Sequence, residues 1–325
     1  MRLIACLIQE MKLSFKTKFA TCAAFSLILM SAFLSSADCA EKSTLIRFPQ
    51  QPIGHYGLVR VAKNPSDDVV LRGNKWAAGV VSVPAGCAIN LTLNYQGSQS
   101  TNFIRTLPAK ILRGLTCRDL EIDDRAVGDL CSQKGLVQLN LQGVDLSDQG
   151  IKQISSLKEL RKLSLSDTLV TPKGLAVLRD LPFLENLNLS RLPLGERVDE
   201  ALQPLKNLYS LDLTGTQLTD RAVINLPAFP HLRTLILRRN NLTDKCIDSL
   251  LRFKKMQNLD FTDTRVTGEG LKRLKGLPRL QMIIIRTASL KINDKSQLKK
   301  LIPGILIEEG SHEKVVPREI FAPLH

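Results

Sequence analysis

The sequence predicts an α/β solenoid, in which short parallel strands and helical segments alternate along a repeating coil. Three observations predict it. Leucine supplies 56 of the 325 residues, the leucines recur with a constant step of 24 residues, and within each unit the apolar period changes from two to three. A core filled by one aliphatic residue type at a fixed step is typical of stacked repeats, because each unit buries its apolar side against its neighbours.

The first half of each unit has the pattern of a strand. The motif L-x-x-L-x-L recurs without insertion or deletion, and seven successive units open at Leu136, Leu160, Leu184, Leu208, Leu232, Met256 and Leu280. The fourth and sixth positions are apolar and lie two residues apart, so both side chains face one side of a strand. An eighth clear unit opens at Leu112, and a degenerate unit covers residues 88–111.

The second half of each unit has a helical period. Apolar residues lie three apart there, as in Ile154 with Leu157 and Leu178 with Leu181. This spacing predicts one face of a helix or of a 3₁₀ turn. Three aspartates, Asp148, Asp220 and Asp244, stand where a side-chain oxygen would cap the helix amides. Each unit is therefore predicted to run strand, turn, helix and return turn.

These units resemble leucine-rich repeats. The clearest copy is Leu211–Asp220, which reads LDLTGTQLTD, and the ninth position is Thr or Asn in several units (Thr168, Thr216, Asn240 and Thr264). The resemblance implies a curved right-handed horseshoe, with a parallel sheet on the concave side and helices or 3₁₀ turns on the convex side. It also implies that the ninth side chain hydrogen-bonds neighbouring backbone, in a ladder interrupted at Val144 and Leu192.

The first 37 residues have the organisation of a signal peptide. Three lysines precede Phe19–Ala37, a stretch of nineteen residues without charge, and Ser35, Ser36 and Ala37 supply the small residues of a cleavage site. The sequence therefore predicts a secreted or periplasmic protein. The length of the uncharged stretch also fits an uncleaved membrane anchor, which remains the alternative.

Residues 38–87 lack the repeat and are predicted to form a β-rich N-terminal cap. Short β-prone runs at Leu58–Val61, Val69–Leu71 and Val80–Val83 are separated by Pro, Gly, Asn and Asp. An open solenoid exposes its first core layer, so a cap is needed there. The Trp76–Gly86 segment resembles caps of secreted bacterial leucine-rich-repeat proteins. The repeats are assigned to residues 88–295, and residues 296–325 to a C-terminal cap and tail, because 298–307 resembles a closing helix and strand.

The resemblance places the residues between the paired leucines on the concave sheet, where a rigid, extended surface suits a protein ligand. Tyr209, Ile236, Arg238 and Arg286 are the predicted anchors, since aromatic and arginine side chains are over-represented among interface hot spots. The complete set of predicted partner-binding residues is Asn140, Ser164, Asn188, Tyr209, Asp212, Ile236, Arg238, Asp260 and Arg286.

An alternative function follows from the charge. Between His231 and Lys300 the chain has 17 basic and 6 acidic residues, a surplus of 11 out of a net charge of +14. An anionic polysaccharide or membrane surface would suit such a region. Its predicted contacts are Arg252, Lys254, Lys255, Lys272, Arg273 and Lys275. Nucleic acid is disfavoured because the aromatic residues of this stretch, Phe253 and Phe261, occupy core positions instead of stacking platforms.

Catalysis is not predicted. The four histidines are far apart in a linear solenoid, and the sequence has no Cys-x-x-Cys pair, Gly-rich phosphate loop or Gly-x-Ser-x-Gly elbow. We therefore expect a non-enzymatic protein without a metal or cofactor. Cys117 replaces an inward leucine and is read as a buried thiol, although an oxidising compartment would allow it to form a disulfide with Cys87.

An intracellular adaptor is a less favoured third function. F-box substrate receptors of ubiquitin ligases contain similar Leu-Thr-Asp repeats. This chain has no F-box-like helical segment before its repeats, and its N-terminal segment predicts export instead.

Overall fold

The structure, a computed structural model, describes residues 43–71, 73–285, 294–303 and 305–309. Within these residues one large sheet contains thirteen strands, and a separate pair, β1 and β5, forms a ribbon. The strands are β1 (Thr44–Arg47), β2 (Gly54–Arg60), β3 (Val69–Val70), β4 (Lys75–Trp76), β5 (Val80–Val83), β6 (Cys87–Leu93), β7 (Leu112–Thr116), β8 (Gln138–Asn140), β9 (Lys162–Ser164), β10 (Asn186–Asn188), β11 (Ser210–Asp212), β12 (Thr234–Ile236), β13 (Asn258–Asp260), β14 (Met282–Ile285) and β15 (Leu306–Glu309).

The repeat strands are parallel and pair in the register that the sequence predicts. Leu115 lies opposite Leu139, Leu139 opposite Leu163 and Leu163 opposite Leu187, each exactly one unit further along the chain. The same register continues strand by strand from β10 to β14. The predicted α/β solenoid with a parallel sheet is therefore confirmed.

The leucines of the repeat form one continuous core. The side chains at the first, fourth and sixth positions are buried in every unit from Leu112 to Ile285, and the apolar residues of the helical halves pack against them. Phe253 and Phe261 are fully buried in this core, as their positions in the repeat predicted. Burial of a leucine side chain contributes about 1.5–3 kcal/mol, so the stacked layers supply most of the stabilisation.

The helical halves combine short α-helices and 3₁₀ turns. The degenerate unit contains the α-helices Tyr95–Ser98 and Phe103–Thr106. In the units that open from Leu112 to Met256 the α-helices are Asp124–Leu130, Val198–Leu202, Asp220–Asn225, Ile247–Leu250 and Gly268–Lys272. In the units that open at Leu136 and Leu160 this half is a 3₁₀ helix instead, at Gly150–Ser156 and Gly174–Asp180. Apolar residues three apart face the same side of a 3₁₀ helix, which has three residues per turn, so the predicted period is confirmed.

A left-handed residue follows each repeat strand. The eighth position of every unit from Leu112 to Met256 has a positive φ, whether it is glycine, as at Gly143 and Gly215, or another residue, as at Asp167 and Arg239. The ninth side chain then binds the backbone, as the resemblance implied. The Thr216 hydroxyl donates to the Leu213 carbonyl (2.6 Å), and the Asn240 amide donates to the carbonyls of Leu213 (2.7 Å) and Leu237 (3.0 Å).

The aspartates predicted to cap helices bind the following unit instead. The Asp148 carboxylate accepts from the backbone amide (2.8 Å) and hydroxyl (2.6 Å) of Thr171, and Asp220 and Asp244 accept in the same way from Thr243 and Thr267. The caps are made by other residues, among them Asp123, Thr243 and Thr267. The capping prediction was wrong because it considered one unit alone, whereas stacking brings the start of the next helical half within reach.

The segment before the repeats is β-rich and continuous with the repeat sheet. Strand β2 pairs antiparallel with β6 along its whole length, and β6 pairs parallel with β7. The structure also contains β1 and β4, which the sequence reasoning did not identify. Buried Arg113 holds this segment against the repeats, since its guanidinium bonds to the Asp68 carboxylate (2.9 Å), the Glu159 carboxylate (3.1 Å) and the Gly135 carbonyl (3.2 Å).

At the other end, the helix Asp294–Leu301 is followed by β15, which pairs parallel with β14. This agrees with the closing helix and strand expected from residues 298–307. The predicted signal peptide, the C-terminal tail from residue 310 onward and the predicted anchor Arg286 lie outside the described residues.

The cysteines of the described chain do not support the disulfide considered from the sequence. Cys117 is a free thiol, fully buried in the core, and burial raises its pKa. A Cys87–Cys117 bond is therefore not formed, and the interpretation of Cys117 as a buried thiol in place of an inward leucine is confirmed.

Candidate partner-binding face

The side of the sheet opposite the leucine core is the candidate binding surface, and we call it the polar face. It consists of the third, fifth and seventh positions of each unit, because side chains alternate between the two sides of a strand. Neighbouring strands lie about 4.8 Å apart, so each position forms a row across the sheet. The fifth-position row is Thr116, Asn140, Ser164, Asn188, Asp212, Ile236, Asp260 and Ile284.

Four residues of the fifth-position row have a structural role. The side-chain oxygen of Asn140 accepts from the backbone amide two residues later, that of Gln142 (3.0 Å). Asn188, Asp212 and Asp260 make the same bond to the amides at their seventh positions, each at 2.9 Å. Asn and Asp commonly bond the backbone two residues on. The sequence shows Asn or Asp at these positions, which is the signal for such a bond, but these residues were predicted only as contacts for a partner.

The structure buries most of the predicted partner-binding residues. Six side chains are less than one-tenth exposed: Ser164, Asn188, Asp212, Ile236, Arg238 and Asp260. Asn140 is half-buried, and Tyr209 is 36% exposed. Asn140 and Tyr209 therefore keep accessible surface, whereas the six other side chains lie beneath the surface of the polar face.

Three of these buried residues form a charged cluster on adjacent strands. Asp212 ends β11, Arg238 follows β12, and Asp260 ends β13. The Arg238 Nε lies 3.7 Å from Asp260 Oδ2. Burial raises the pKa of Asp260 to about 6, although the Thr262 hydrogen bonds and the positive charge of Arg238 oppose the rise. Burial also raises the pKa of Asp212, so the cluster holds two carboxylates that bind protons more readily than usual.

Tyr209 lies at the edge of the polar face, directly before β11. Its ring centroid is 5.8 Å from that of His231, and the Arg233 guanidinium lies 5.2 Å from the Tyr209 ring centroid. The aromatic ring thus contacts His231, the last residue of its own unit, and Arg233 of the next unit, and it keeps about a third of its surface exposed. A fixed, partly exposed ring of this kind loses little conformational entropy when it contacts a partner.

The third-position row provides accessible side chains that lie outside the predicted partner-binding set. Its half-buried members are Gln138, Lys162, Asn186, Asn258 and Met282. Only one of their side chains, that of Asn258, donates a hydrogen bond within the described residues, to the Thr234 hydroxyl (3.1 Å). What distinguishes these side chains is that, unlike the Asn and Asp of the fifth position, they do not bond the backbone amide two residues later within the described chain.

The basic residues on the helical side are largely engaged within the chain. The Arg252 guanidinium donates to the Ile224 (2.7 Å) and Val223 (2.9 Å) carbonyls at the end of the preceding helix. Lys272 pairs with Glu269 (2.6 Å) and Asp294 (3.2 Å), and Arg273 pairs with Asp248 (2.6 Å).

Two further residues of the set predicted to contact an anionic surface, Lys254 and Lys275, are exposed. The third, Lys255, contacts the His231 imidazole at 3.1 Å. Half of the six predicted cations thus already neutralise acids or complete helix ends, which reduces the charge available to an anionic surface.

A model of the leucine-rich repeat family matches residues 230–250. This range includes the ninth-position Asn240, whose side chain bonds to backbone carbonyls of its own unit and of the preceding unit. This match falls on units whose strands, turns and core repeat in register. The fold is a leucine-rich-repeat solenoid.

Two solved structures similar to this solenoid are internalins from Listeria monocytogenes. An internalin described as inlF is 19% identical, with a TM-score of 0.46 over 62% of this chain and 61% of its own. An internalin C2 is 16% identical, with a TM-score of 0.45 over 65% of this chain and 84% of its own. The chain thus spans less than two thirds of the first of these structures. No curated protein gives a significant match.

Every helix in the described part of the chain is too short or too polar to cross a lipid bilayer.

Proposed function

We propose that this chain is a non-enzymatic scaffold, located outside the cytoplasm, that binds a protein partner on the polar face. The observation that carries the proposal is the third-position row. It presents amide, ammonium and thioether groups at a regular spacing on a sheet that is anchored by a continuous core. A leucine-rich-repeat solenoid offers such a surface without rearrangement, because each unit contacts only its neighbours.

The partner contacts we assign are the accessible ones. Asn140, Lys162 and Asn186 lie on three adjacent strands, and Tyr209 forms the edge beside them. Tyr209 is the anchor, since aromatic side chains dominate interface energies, and the surrounding polar groups supply complementarity. The buried cluster of Asp212, Arg238 and Asp260 fixes the shape and the charge of the neighbouring surface.

A crosslinking pull-down from the extracytoplasmic fraction tests this proposal. Asn186→Arg places a long charged side chain in the middle of the polar face, and we expect it to abolish recovery of the partner. Tyr209→Ala should lower recovery about tenfold or more, since loss of a hot spot costs at least about 2 kcal/mol. Gln203→Arg is the matched control, because Gln203 is exposed on the helical side.

Equal recovery by the intact protein, Asn186→Arg and Tyr209→Ala would contradict binding on the polar face. Loss of recovery with a Lys254→Ala/Lys275→Ala double variant, together with collapse of binding at moderate salt, would support the anionic-surface alternative instead.

The location is tested separately by mapping the N-terminus of the mature protein by mass spectrometry. Cleavage after Ala37 is the expected result. An intact Met1 or Met11 on cytosolic protein would contradict it and would favour the intracellular adaptor.

A further inference from the structure

The residues on either side of each unit's first position line one edge of the solenoid, where the return turn leads into the strand. They are the last position of one unit and the second position of the next. Around the starts of the four units that open from Leu208 to Leu280, these residues are Asn207, Tyr209, His231, Arg233, Lys255, Gln257, Arg279 and Gln281. We call this set the basic edge, because it contains three cations and no acid.

The backbone holds the second-position residues of the basic edge in a column. The Arg233 amide donates to the Tyr209 carbonyl (2.9 Å), and the Gln257 amide donates to the Arg233 carbonyl (2.7 Å). The Gln281 amide in turn donates to the Gln257 carbonyl (2.8 Å). Neighbouring strands lie about 4.8 Å apart, so the column spans about 14 Å from Tyr209 to Gln281. An extended peptide segment of about five residues has this length.

Side-chain contacts join the two columns of the basic edge around Tyr209. The Arg233 guanidinium lies 5.2 Å from the Tyr209 ring centroid, and the His231 ring lies 5.8 Å from it on the other column. The Lys255 Nζ lies 3.1 Å from the His231 Nδ1. Arg233 is exposed, Lys255 is half-buried and the Tyr209 ring keeps 36% of its surface exposed. An aromatic ring with cations on both columns is therefore accessible along this edge.

The same edge has balanced charges further upstream. There the equivalent positions include two acids, Glu159 and Glu185. The Glu159 carboxylate pairs with the Arg113 guanidinium (3.1 Å), and Glu185 pairs with Arg161, the second-position residue of the preceding unit. The upstream acids and cations thus neutralise one another within the chain.

The cations of the basic edge have no such partners. Within the described part of the chain, none of Arg233, Lys255 and Arg279 lies within ion-pair distance of a carboxylate. At the opposite ends of the strands, by contrast, exposed Arg191 pairs with Asp167 (2.8 Å). Like charges held in neighbouring units repel one another, so an acidic partner would remove an unfavourable interaction.

We propose that the basic edge binds an acidic, extended segment of the protein partner. Carboxylates of the segment pair with Arg233 and Arg279, because the planar guanidinium matches a carboxylate with two parallel hydrogen bonds. An apolar side chain of the segment packs on the exposed part of the Tyr209 ring. The amides of Gln257 and Gln281 donate and accept hydrogen bonds, as the peptide groups of the segment do. The inference rests on the proposed function, since the basic edge and the polar face share Tyr209.

Two other anionic partners fit the basic edge less well. Membrane sites for anionic lipids use about four to eight clustered cations, whereas this edge has three, separated by amides. A sulfated polysaccharide is densely charged along its length, and Gln257 and Gln281 offer it no opposite charge. Both partners are included in the test.

Fluorescence anisotropy with a labelled octapeptide tests the proposal. The peptide alternates glutamate with leucine or serine, and a matched peptide has glutamine in place of every glutamate. The titrations are made at pH 7.5 and about 50 mM ionic strength, where surface charges are only partly screened. We expect saturable binding of the acidic peptide and at least about tenfold weaker binding of the glutamine peptide. Arg233→Glu and Arg279→Glu should each weaken binding of the acidic peptide at least about fivefold, because each replaces attraction by repulsion.

Arg265→Glu is the matched control for Arg233→Glu. Both arginines are exposed and both variants change the net charge equally, but Arg265 lies beyond the opposite end of a neighbouring strand, β13. We expect the control to bind the acidic peptide almost as the intact protein does. The proposal is overturned if the acidic peptide does not bind, or if Arg265→Glu weakens binding as much as Arg233→Glu. It is also overturned if only phosphatidylserine vesicles or only dextran sulfate bind.

The peptide test and the test of the polar face give separate answers. If the acidic peptide does not bind but Asn186→Arg still abolishes recovery of the partner, only the basic edge is wrong. If the peptide binds at the basic edge but Asn186→Arg leaves recovery intact, the assignment of the polar face is wrong.

Discussion

The helical side and the polar face of this solenoid both have an acidic or amide side chain repeated at intervals of 24 residues, and the two sets do different things. On the helical side, the carboxylates of Asp148, Asp220 and Asp244 accept two hydrogen bonds from a threonine 23 residues later, in the next unit. On the polar face, Asn188 and Asp260 accept one bond from an amide two residues later, in their own unit.

This difference indicates which polar side chains are available for recognition and which are already bonded to the backbone. A polar side chain that recurs at one position of a repeat can be explained by a hydrogen bond to backbone, either in the next unit or in its own unit. That explanation has to be tested before a role in recognition is assigned. Residues such as Lys162 and Asn186 serve neither purpose within the described chain and remain free for a partner.

The largest effect is expected on the helical side, from Gly270→Ala. A Cβ at Gly270 would overlap the Asp244 carboxylate that binds Thr267. Alanine normally stabilises a helix position relative to glycine by up to about 1 kcal/mol, so a loss of stability would come from the overlap itself. We expect the free energy of unfolding in urea to fall by about 2–3 kcal/mol, as for other overpacked sites.

The double variant Gly270→Ala/Asp244→Ala is the control for this prediction. It removes the overlapping atoms and should be less destabilised than the sum of the two single variants. In the preceding unit the equivalent position is Cys246, whose segment starts as a 3₁₀ turn at Asp244–Cys246. Strict additivity would show that the carboxylate and the glycine are not coupled.

The next effect concerns the bonds between units. Asp220→Ala removes the acceptor of the Thr243 amide (2.8 Å) and hydroxyl (2.6 Å), and we expect a loss of about 2 kcal/mol in urea unfolding. Asp220→Asn keeps an oxygen acceptor in place and should lose less than half as much. Equal losses in both variants would indicate that the negative charge, and not the hydrogen bonds, holds the units together.

The sequence predicted the strands and the core well because both depend on nearest neighbours alone. Leu139 lies opposite Leu163 because both occupy the fourth position of neighbouring units, so the 24-residue period alone predicts this pairing. The partners of Asp220 were not predictable in this way, since Thr243 becomes its neighbour only after stacking.

A smaller effect is expected from the charge on the polar face. Burial raises the pKa of Asp260 to about 6, above the value of about 3.9 for an unfolded chain. The folded state therefore binds the proton more tightly, and its stability increases as the pH falls from about 7 towards 4. Asp260→Asn removes this contribution but keeps an acceptor for the Thr262 amide.

We expect the change in unfolding free energy between pH 7.5 and pH 5 to differ between Asp260→Asn and the intact protein by about 1–2 kcal/mol. Urea unfolding at the two pH values measures it. Asp212, whose pKa is also raised, is present in both proteins, and because its charge acts on Asp260 the difference measures Asp260 together with its coupling to Asp212. The same pH dependence in both proteins would show that Asp260 keeps an ordinary pKa.

The smallest effect is expected where a turn bond is most exposed to water. Asn140→Ala removes the acceptor of the Gln142 amide (3.0 Å), and because both residues are half-buried, water replaces much of the lost bond. We expect a loss of about 0.5–1 kcal/mol in urea unfolding. Asn140→Asp keeps the bond and should be close to the intact protein in stability. If Asn140→Ala costs as much as Asp220→Ala, the bonds within units stabilise the solenoid as strongly as the bonds between them, and the contrast between the two sides does not hold.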